Sequence, residues 1–456
     1  MTELLTDRIS RQVRSRPAAP AVRTAGESVG YPEFWARVTR VAAGLAGLRR
    51  VAVLPASDID SLVTVAAAMH AGVSVVLLHR HLLPDQLRRV LEVADPGAVV
   101  AAAPQHRRLR RMGFAGVIHT AAELTSDGVA HGARPDAELL AGITSGTTGE
   151  PKVFVRDQAS WAATLDRSDR TFDIGPGDTV AVPGVLDHTH FLYGALHALT
   201  RGATVDLRPA ADALADGATH LYSVPTLAWD VVRAARGTHE SVREVLSSAA
   251  RWPANGRAAL RDVLPNAALT HFYGASELSF VSFDRGLGAA DDYAAGELFD
   301  GVEVDIRAGR VFVRSDMVFR GYLTRTAVVD GPVGGWVSVG DRGALDGRRL
   351  RLFGRTGEML IRGGLNVEPA AVEAALTAIP GITEAACVGV ADERWGQVPV
   401  AVIVVGGRAP DIEEIRRRLR ATLPAPSVPA RIQMLDALPR TPRGKLDRPA
   451  LLAAIS

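Results

Sequence analysis

The chain has 456 residues, of which 47% are hydrophobic and 22% are charged, and its formal net charge is +2. This length and apolar content exclude a disordered protein and predict at least two domains with packed cores. The nearly balanced charge provides no global field that would steer the chain to nucleic acid or to a membrane surface.

The N-terminal stretch MTELLTDRISRQVRSRP lacks the apolar segment of a signal peptide, and no apolar stretch has the character of a transmembrane helix. Cys387 is the single cysteine of the sequence, so one chain can form neither an internal disulfide nor a site of several thiolates. Its apolar neighbours predict a buried strand thiol. These features predict a cytoplasmic protein in a reducing compartment.

Helix-like and strand-like segments alternate from residue 32 to about residue 237. Helical spacing of apolar residues is seen in PEFWARVTRVAAGLAGL, DSLVTVAAAMHAG and LPDQLRRVLEVAD, and again in FLYGALHALTRG and TLAWDVVRAARG. Short apolar runs between them, such as RVAVLPA, VSVVLLH, GAVVAAA and DTVAVPG, are typical of buried strands. This alternation predicts parallel sheets with helices on both faces.

The sequence pattern changes near Gly296. Apolar and polar residues alternate there, and turn residues are frequent, in the segments VEVDIRAGRVFVRSD, GRRLRLFGR and MLIRGG. This pattern predicts antiparallel strands or a small distorted β-barrel. A smaller α+β unit follows Arg355. We therefore predict an α/β protein whose N-terminal domain, residues 1–355, contains two parallel-type sheets with helices plus a small distorted β-barrel. Residues 356–456 form a small mobile α+β C-terminal domain.

A glycine-rich loop lies in ITSGTTGEPKVFVRD, residues 143–157. Its glycines allow backbone amides to turn towards an anion, its hydroxyls add donors, and its lysine adds a mobile charge. The loop therefore predicts a nucleotide phosphate site, although Val153 after the lysine distinguishes it from the G-x-x-x-x-G-K-[ST] type. The residues concerned are Thr144, Ser145, Gly146, Thr147, Thr148, Gly149 and Lys152.

The segment TSGTTGEPK resembles the phosphate loop of the adenylate-forming superfamily, which contains acyl-CoA synthetases, stand-alone adenylation domains and luciferases. Related motifs follow in the order of that family over nearly the whole chain: SSAARWPAN, HFYGASEL, GWVSVGDRGALD, LFGRTGEML, IRGGLNVEPAAVEAAL and TPRGKLDRP. Together these motifs are highly specific.

The resemblance implies roles for individual residues. Tyr273 would lie beside the adenine, Ser276 near the α-phosphate, and Glu277 would ligate Mg²⁺, which prefers carboxylate oxygen. Asp341 would accept hydrogen bonds from the ribose hydroxyls. The remaining nucleotide-binding residues that it implies are Ala249, Ala250, Gly274 and Arg355, with Ala249 replacing a glycine that is usual in relatives.

The C-terminal motifs imply a rotation of the small domain. Gly357 stands at the hinge position, where many relatives have Asp or Lys, and Gly363 and Gly364 would let backbone lie close to an incoming pantetheine arm. Lys445 would bridge the substrate carboxylate and the α-phosphate. It would then be withdrawn when the domain rotates for the second half-reaction.

Several histidines and aromatic residues are predicted to line the acid pocket. In GVLDHTHFLYGAL, His188 is the best match to the family residue beside the substrate carboxylate, and it is a predicted catalytic residue with Lys445 and Glu277. A pocket of this composition favours a small polar or aromatic acid over a long fatty acid. The other predicted pocket residues are His190, Tyr193, His220, Tyr222, His271 and Ala275.

The resemblance implies an AMP-forming acid–thiol ligase that uses ATP and Mg²⁺, with CoA as co-substrate and neither nucleic acid nor membrane as partner. Three alternatives stay open: an adenylation enzyme that loads a carrier protein, a diazotase that adenylates nitrite for an arylamine, and a silent adenylate-binding regulator. The sequence leaves open the identity of the acid, the acceptor, the oligomeric state and the pathway.

Lysine usage supports the assignment of Lys445. Lysine and arginine total 52, yet Lys152 and Lys445 are the two lysines of the sequence. Lysine carries one compact charge on a flexible stem, whereas arginine presents a broad planar fork. Arginine is thus accepted at every basic position except the two that resemble catalytic ones.

Overall fold

The computed structural model of the chain builds three β-sheets and the helices that cover them. It gives the backbone alone at residues 145, 355, 361, 365, 366 and 396. It describes residues 3–455 with the exception of 81, 131, 146–150, 251, 253, 286–293, 356–359, 363–364, 393–394, 408–409, 424 and 442–443.

Two helices in the first half of the chain begin at an aspartate that caps the first turn. Asp58 accepts a hydrogen bond from the Ser61 amide and Asp157 from the Ser160 amide, each at 2.8 Å. The α-helices are α1 Leu5–Ser15, α2 Tyr31–Leu45, α3 Ile59–His70, α4 Pro84–Ala94, α5 Ala103–Arg111, α6 Gln158–Thr171, α7 Thr189–Thr200, α8 Ala210–Ala215, α9 Pro225–Ala234, α10 Ala254–Val263, α11 Pro369–Thr377, α12 Ile412–Thr422 and α13 Arg448–Ile455. Short 3-10 helices cover Ala122–Leu124 and Ala425–Ser427.

The strands of the first half of the chain are short and mostly buried on both faces. They are β1 Pro20–Arg23, β2 Ser28–Gly30, β3 Arg50–Leu54, β4 Ser74–Leu77, β5 Ala98–Ala101, β6 Glu138–Ser145, β7 Pro151–Asp157, β8 Thr179–Ala181, β9 Thr204–Asp206, β10 His220–Ser223, β11 Glu244–Ser247 and β12 Ala268–Ala275. The helices and strands predicted from residue 32 to residue 237 are confirmed in type and order.

The strands of the second half are largely antiparallel. They are β13 Ser279–Arg285, β14 Ala294–Leu298, β15 Glu303–Arg307, β16 Arg310–Arg314, β17 Gly321–Leu323, β18 Val328–Val329, β19 Asp341–Asp346, β20 Arg349–Arg355, β21 Leu360–Arg362, β22 Leu365–Val367, β23 Ile382–Asp392, β24 Gly396–Val405 and β25 Arg431–Met434.

The smaller of the two large sheets has the strand order β18-β17-β7-β6-β4-β3-β5. Its pairs β3–β4, β3–β5 and β4–β6 are parallel, as the alternating pattern predicts, whereas β6–β7 and β7–β17 are antiparallel. The glycine-rich segment connects β6 to β7, so its two ends, Thr144 and Lys152, stand opposite each other in the ladder.

The larger sheet has the order β15-β16-β19-β20-β14-β13-β12-β11-β10-β8-β9-β1-β2. Its centre, β12-β11-β10-β8-β9-β1, is parallel. The antiparallel strands predicted after Gly296 are present and continue one edge of this sheet. One apolar core joins the two large sheets, since Val75 of β4, Val205 of β9 and Phe272 of β12 belong to the same buried cluster.

The C-terminal unit packs α11 and α12 on a sheet of the order β22-β21-β24-β23, with β25 beside β24. Cys387 of β23 is fully buried in the core of this unit, which confirms the predicted strand thiol. Burial raises the pKa of this thiol well above its ordinary value. No helix in the described part of the chain combines the length and the apolar content needed to cross a bilayer.

Helix α7 lies close to β10 because it has a glycine where the two elements meet. A Cβ added at Gly194 would lie 2.6 Å from the ring of Tyr222, which is buried against α7. The same ring lies 5.3 Å, centroid to centroid, from the ring of His190 in the first turn of α7. Gly194 therefore sets the position of a helix that carries a predicted pocket residue.

We predict that Gly194→Ala lowers the free energy of unfolding by about 1–3 kcal/mol, because the added methyl group overpacks the contact with Tyr222. Denaturant or thermal unfolding measures this change. Gly175→Ala is the matched control, since a Cβ at Gly175 meets nothing within 4 Å, and we expect it to change stability by less than about 0.5 kcal/mol. Equal effects of the two substitutions would contradict the packing argument.

Candidate active site

A central cavity of about 180 Å³ opens where the two large sheets and the C-terminal unit meet. Three of its walls come from chain segments that directly follow parallel strands: Asp187 and His188 after β8, Ser248 and Ala249 after β11, and Gly274, Ala275 and Ser276 at the end of β12. Sites in open α/β sheets form at this carboxyl edge, because the connections there diverge and leave room for a ligand.

His188 and His190 stand at the amino end of α7 and both line the cavity. The Nδ1 atom of His188 accepts a hydrogen bond from the His190 amide at 3.3 Å. His190 Nε2 lies 2.8 Å from the carbonyl oxygen of Ser223, to which it donates. Burial lowers the pKa of His190 to about 4, so this imidazole is neutral at physiological pH and its Nδ1 is an acceptor.

Tyr193 follows one turn later and also lines the cavity. Its hydroxyl lies 2.6 Å from Ser168 Oγ, and burial raises its pKa well above the ordinary value. The phenol is therefore a fixed neutral wall of the cavity. Ala275, the one small residue among the predicted pocket residues, lines the same cavity.

Three predicted pocket residues are absent from the described wall of this cavity. His220 begins β10 at the amino edge of the sheet, opposite Glu244, and its Nδ1 contacts Thr219 Oγ1 at 3.0 Å. Tyr222 points beneath α7, where its hydroxyl lies 3.2 Å from His197 Nδ1.

The third is His271 of β12. It alternates with Phe272, which lines the cavity, and it packs instead against Trp252 with ring centroids 6.0 Å apart. Burial lowers the pKa of both His220 and His271 to about 4. The prediction that all three residues line the pocket is therefore wrong for the described cavity, because the sequence pattern does not reveal which edge or which face of a sheet a residue occupies.

The predicted adenine and ribose residues are brought together beside the cavity. The Tyr273 hydroxyl donates a hydrogen bond of 2.5 Å to Asp341 Oδ2. Asp341 begins β19 opposite Arg355, whose backbone alone is described. Asp341 is 8% exposed, so the carboxylate is held in a defined place and is still within reach of a ligand hydroxyl.

Lys152 and Glu277 are linked through a residue that the sequence reasoning did not identify. Lys152 Nζ lies 4.7 Å from the centroid of the Tyr322 ring, and the Tyr322 hydroxyl donates to Glu277 Oε1 at 2.8 Å. Tyr322 lies on β17, which pairs with β7, and no sequence motif marks it.

Glu277 fits a hard cation that bridges phosphates. It offers carboxylate oxygen, it is 7% exposed, and it directly follows Ser276 on the cavity wall. The described residues contain no group of three or more His, Cys, Asp or Glu side chains arranged around a metal. The donor set therefore suits Mg²⁺ that takes most of its ligands from phosphate and water.

Several predicted residues lie outside the described set. For Ser145 at the end of β6 the backbone alone is described, whereas Thr144 and Lys152 flank the segment in the ladder. The predicted loop, hinge and thiol-channel residues outside the described set are Gly146, Thr147, Thr148, Gly149, Gly357, Gly363 and Gly364.

Lys445 of the C-terminal unit lines the central cavity, as Ser276 and Ala249 do. The turn that carries it is closed by the Thr441 amide, which donates to the Lys445 carbonyl at 2.7 Å, and by Gly444 at φ +76°. A left-handed residue directly before the lysine reverses the chain, so the lysine projects from a turn rather than from a helix. Lys445 also lines a second cavity, of about 240 Å³, between the two parts of the chain.

Ala249 adopts a backbone conformation that favours glycine. Its φ is +75°, and it lines both cavities. The chain therefore keeps the backbone shape of a glycine at this position while adding a methyl group at the rim of the site. Ala250 beside it lines the second cavity and is not among the described residues with positive φ.

Two charged residues of the cavity were missed by sequence reasoning. Arg156 of β7 is 6% exposed, and the side chain of Asp187 is fully buried. The Arg80 amide donates to Asp187 Oδ2 at 3.0 Å, and the His79 ring and the Arg80 guanidinium lie 3.9 and 3.8 Å from this carboxylate. The sequence could have revealed Arg156. It lies two residues after Phe154 and four after Lys152 on one strand, and strand alternation places all three side chains on the same face.

We predict that Ala249→Gly raises the free energy of unfolding by up to about 1 kcal/mol, because glycine adopts the left-handed conformation without a steric penalty. Ala250→Gly is the matched control, and we expect it to lower stability by about 0.5–1 kcal/mol through the greater entropy of the unfolded chain. Denaturant titration of the two variants measures the difference. Similar losses in both would show that the conformation of Ala249 carries no strain.

Comparisons with known proteins extend over nearly the whole chain. The AMP-binding enzyme family matches residues 9–323, and the AMP-binding enzyme C-terminal domain matches residues 371–445. An uncharacterized acyl-CoA ligase, YhfT, of Bacillus subtilis (strain 168) is 30% identical over 473 residues, covering 97% of this chain and 97% of its own. The feruloyl-CoA synthase of an Amycolatopsis species is 29% identical over 496 residues, covering 96% of each chain.

A solved structure shares the architecture. The amide bond synthetase McbA from Marinactinospora thermotolerans has a TM-score of 0.87 and 26% identity, covering 99% of this chain and 100% of its own. The motifs from the glycine-rich segment to Lys445, the fold and the family match agree. The chain belongs to the AMP-binding enzyme family, and with it to the adenylate-forming superfamily of ATP-dependent, AMP-forming ligases.

Proposed function

We propose that this enzyme activates a small polar or aromatic carboxylic acid with ATP and transfers the acyl group to the thiol of CoA. The observation that carries the proposal is the position of Lys445. This residue comes from the C-terminal unit and lies on the wall of the same cavity as His188 and Ser276. A cation at this point can contact a carboxylate and an α-phosphate together.

In the first half-reaction, a carboxylate oxygen of the acid attacks the α-phosphorus of ATP. The bond from that phosphorus to the leaving oxygen breaks, which gives the acyl-adenylate and pyrophosphate. Negative charge builds on the oxygens around the α-phosphorus, so catalysis depends on positioning and on cations held in place. We assign the bridging contact to Lys445 and the positioning of the acid to His188.

The nucleotide would lie between the glycine-rich segment and the end of β12. Asp341 would accept from the ribose hydroxyls once the Tyr273 hydroxyl gives up its present contact with it. Lys152 would reach the outer phosphates from the start of β7. Mg²⁺ held at Glu277 would supply neutralisation of phosphate charge.

In the second half-reaction, the thiolate of CoA attacks the acyl carbon and AMP leaves with the electron pair of the broken C–O bond. We propose that residues 356–456 act as a mobile domain that turns at Gly357, withdraws Lys445 and brings Gly363 and Gly364 to the thiol path. The Asn255 side chain donates to the Ile382 carbonyl at 2.9 Å, so one described contact between the two parts must break in this motion.

We predict that Lys445→Ala and Lys445→Arg both slow acid-dependent ATP–pyrophosphate exchange by at least about a hundredfold, because the bridging charge is removed or misplaced. The exchange is measured over a panel of aliphatic and aromatic acids that also includes nitrite with an arylamine. ATP binding by calorimetry should change little. Arg417→Ala, an exposed α12 variant whose side chain is 76% exposed, is the control and should retain exchange.

Background exchange over the whole panel would overturn the proposed function in favour of a silent adenylate-binding protein. Near-normal exchange in Lys445→Arg would overturn the role assigned to Lys445 and leave the activity itself in place.

The acceptor is tested separately by following acyl transfer from the enzyme-bound adenylate. We predict transfer to CoA in preference to a phosphopantetheinylated carrier protein or to a free amine, measured as thioester or amide product with AMP release. The amine is included because McbA, which matches the chain over its whole length, is an amide bond synthetase. If the amide forms faster than the thioester, the acceptor in the proposed function is an amine and not CoA.

A further inference from the structure

Arg156 is a buried cation that faces the central cavity and that the adenylation chemistry does not use. It lines the cavity, it is 6% exposed, and it stands four residues along β7 from Lys152. A strand rises 3.2–3.4 Å per residue, so its backbone is about 13 Å from that of Lys152, on the same face of the strand. The Arg156 backbone therefore lies well away from that of Lys152, and Arg156 lines only the central cavity, whereas Lys445 also lines the second one.

The contacts of Arg156 are all with neutral groups. Its Nε donates to Ser160 Oγ at 3.0 Å, and its Nη2 donates to the Ser160 carbonyl at 3.0 Å and to Thr164 Oγ1 at 3.1 Å. Among the described residues, Nη1 has no hydrogen-bond acceptor and no carboxylate lies within ion-pair distance of the guanidinium. Burial lowers the pKa of Arg156 to about 10, so it is still a cation at neutral pH.

A buried arginine without a carboxylate partner is costly to the fold, because desolvation of a charge is unfavourable unless a paired group offsets it. Arg50 is another buried arginine and it does have a carboxylate partner: it is 3% exposed and makes two hydrogen bonds of 2.8 Å to Glu138. The fixed fork of Arg156 thus has its Nη1 available to an anion that enters the cavity from outside.

The wall near Arg156 is apolar and aromatic. Phe154, Trp161 and Phe280 line the cavity with it, while Lys445 lines the cavity from the C-terminal unit. An acid seated here would have its reacting carboxylate at Lys445, an apolar or aromatic middle, and a group facing Arg156 at its other end.

We infer that the substrate of this enzyme carries a second anionic group, a carboxylate in the first instance, that binds Arg156 while its reacting carboxylate lies at Lys445. This inference rests on the proposed function and narrows its acid to dicarboxylic acids with an apolar or aromatic middle. A neutral acid of the same shape leaves the arginine without a partner, so the site should reject it.

The test is pyrophosphate exchange with matched pairs of acids. The panel contains linear dicarboxylic acids of different lengths and the isomeric benzenedicarboxylic acids, each beside its monomethyl ester and beside the acid in which methyl replaces the second carboxylate. We expect the best diacid to exceed its ester and its methyl analogue in kcat/KM by at least about tenfold. A sulfonate in place of the second carboxylate distinguishes a requirement for carboxylate from one for any anion.

Arg156→Met should abolish this preference by lowering kcat/KM for the diacid at least about tenfold while the ester is used as well as before. Arg156→Lys, which keeps the charge and loses the fork, should show an intermediate ratio. Arg50→Met is the matched control: it removes a buried arginine away from the cavity, and the ratio of diacid to ester should stay that of the wild type.

A second readout does not depend on turnover. The preferred diacid should raise the thermal midpoint of the wild-type enzyme more than its ester does, and this difference should vanish in Arg156→Met. Equal use of diacid and ester by the wild type, or an equal loss for both in Arg156→Met, would overturn the inference and leave the proposed function standing. Failure of every acid to support exchange would overturn the proposed function itself.

Discussion

The pairing of β7 with β6 on one side and β17 on the other is the constraint on which the site depends. Through β6 it fixes Lys152 opposite Thr144, at the end of the glycine-rich segment. Through β17 it places Tyr322 where its ring contacts Lys152 and its hydroxyl contacts Glu277. Because alternate residues of a strand share a face, the same ladder carries Arg156 into the cavity. One strand thus links the proposed phosphate end of the site to its proposed acid end.

The electrostatics of the cavity depend on which of its buried polar and charged side chains have a partner. The Asp187 carboxylate lies next to His188 and is fully buried, yet the Arg80 amide donates to it and the Arg80 guanidinium lies nearby. His190 avoids the cost of a buried charge by staying neutral, since burial lowers its pKa to about 4. Arg156 keeps its charge and has neutral partners. The wall of the cavity is therefore positive around Arg156, which suits the proposed substrate with a second negative group.

The sequence predicts the fold well, because the periodicity of apolar residues and the order of helices and strands along the chain are enough to predict parallel sheets covered by helices. The motifs also predict that Lys445 and His188 meet at one site, and the structure has both residues on the wall of the central cavity. The sequence predicts the pocket less well, since a strand end does not reveal which face a residue occupies: His220 lies at the amino edge of its sheet, away from the cavity. Tyr322 could not be identified, because its contact with Glu277 arises from pairing between strands that are distant in sequence. Arg156 could have been predicted to face the site, because strand alternation places it on the same face of β7 as Lys152.

The two kinds of cation in this cavity explain the unusual use of lysine. An anion that only has to be recognised is held best by the planar fork of an arginine fixed on a strand, and Arg156 is held so by Ser160 and Thr164. A group that must touch two oxygens of different chemistry, and leave after one step, needs a compact charge on a flexible stem. Lys445 sits on a turn of the C-terminal unit, at the junction of two cavities, and the proposed rotation would carry it away from the central one. The proposed role of Lys445, a contact that forms and breaks at a moving boundary, does not tolerate the fork of an arginine, whereas recognition and solvation do. Lys152 lies on β7, and its proposed contact with the outer phosphates likewise suits a compact charge.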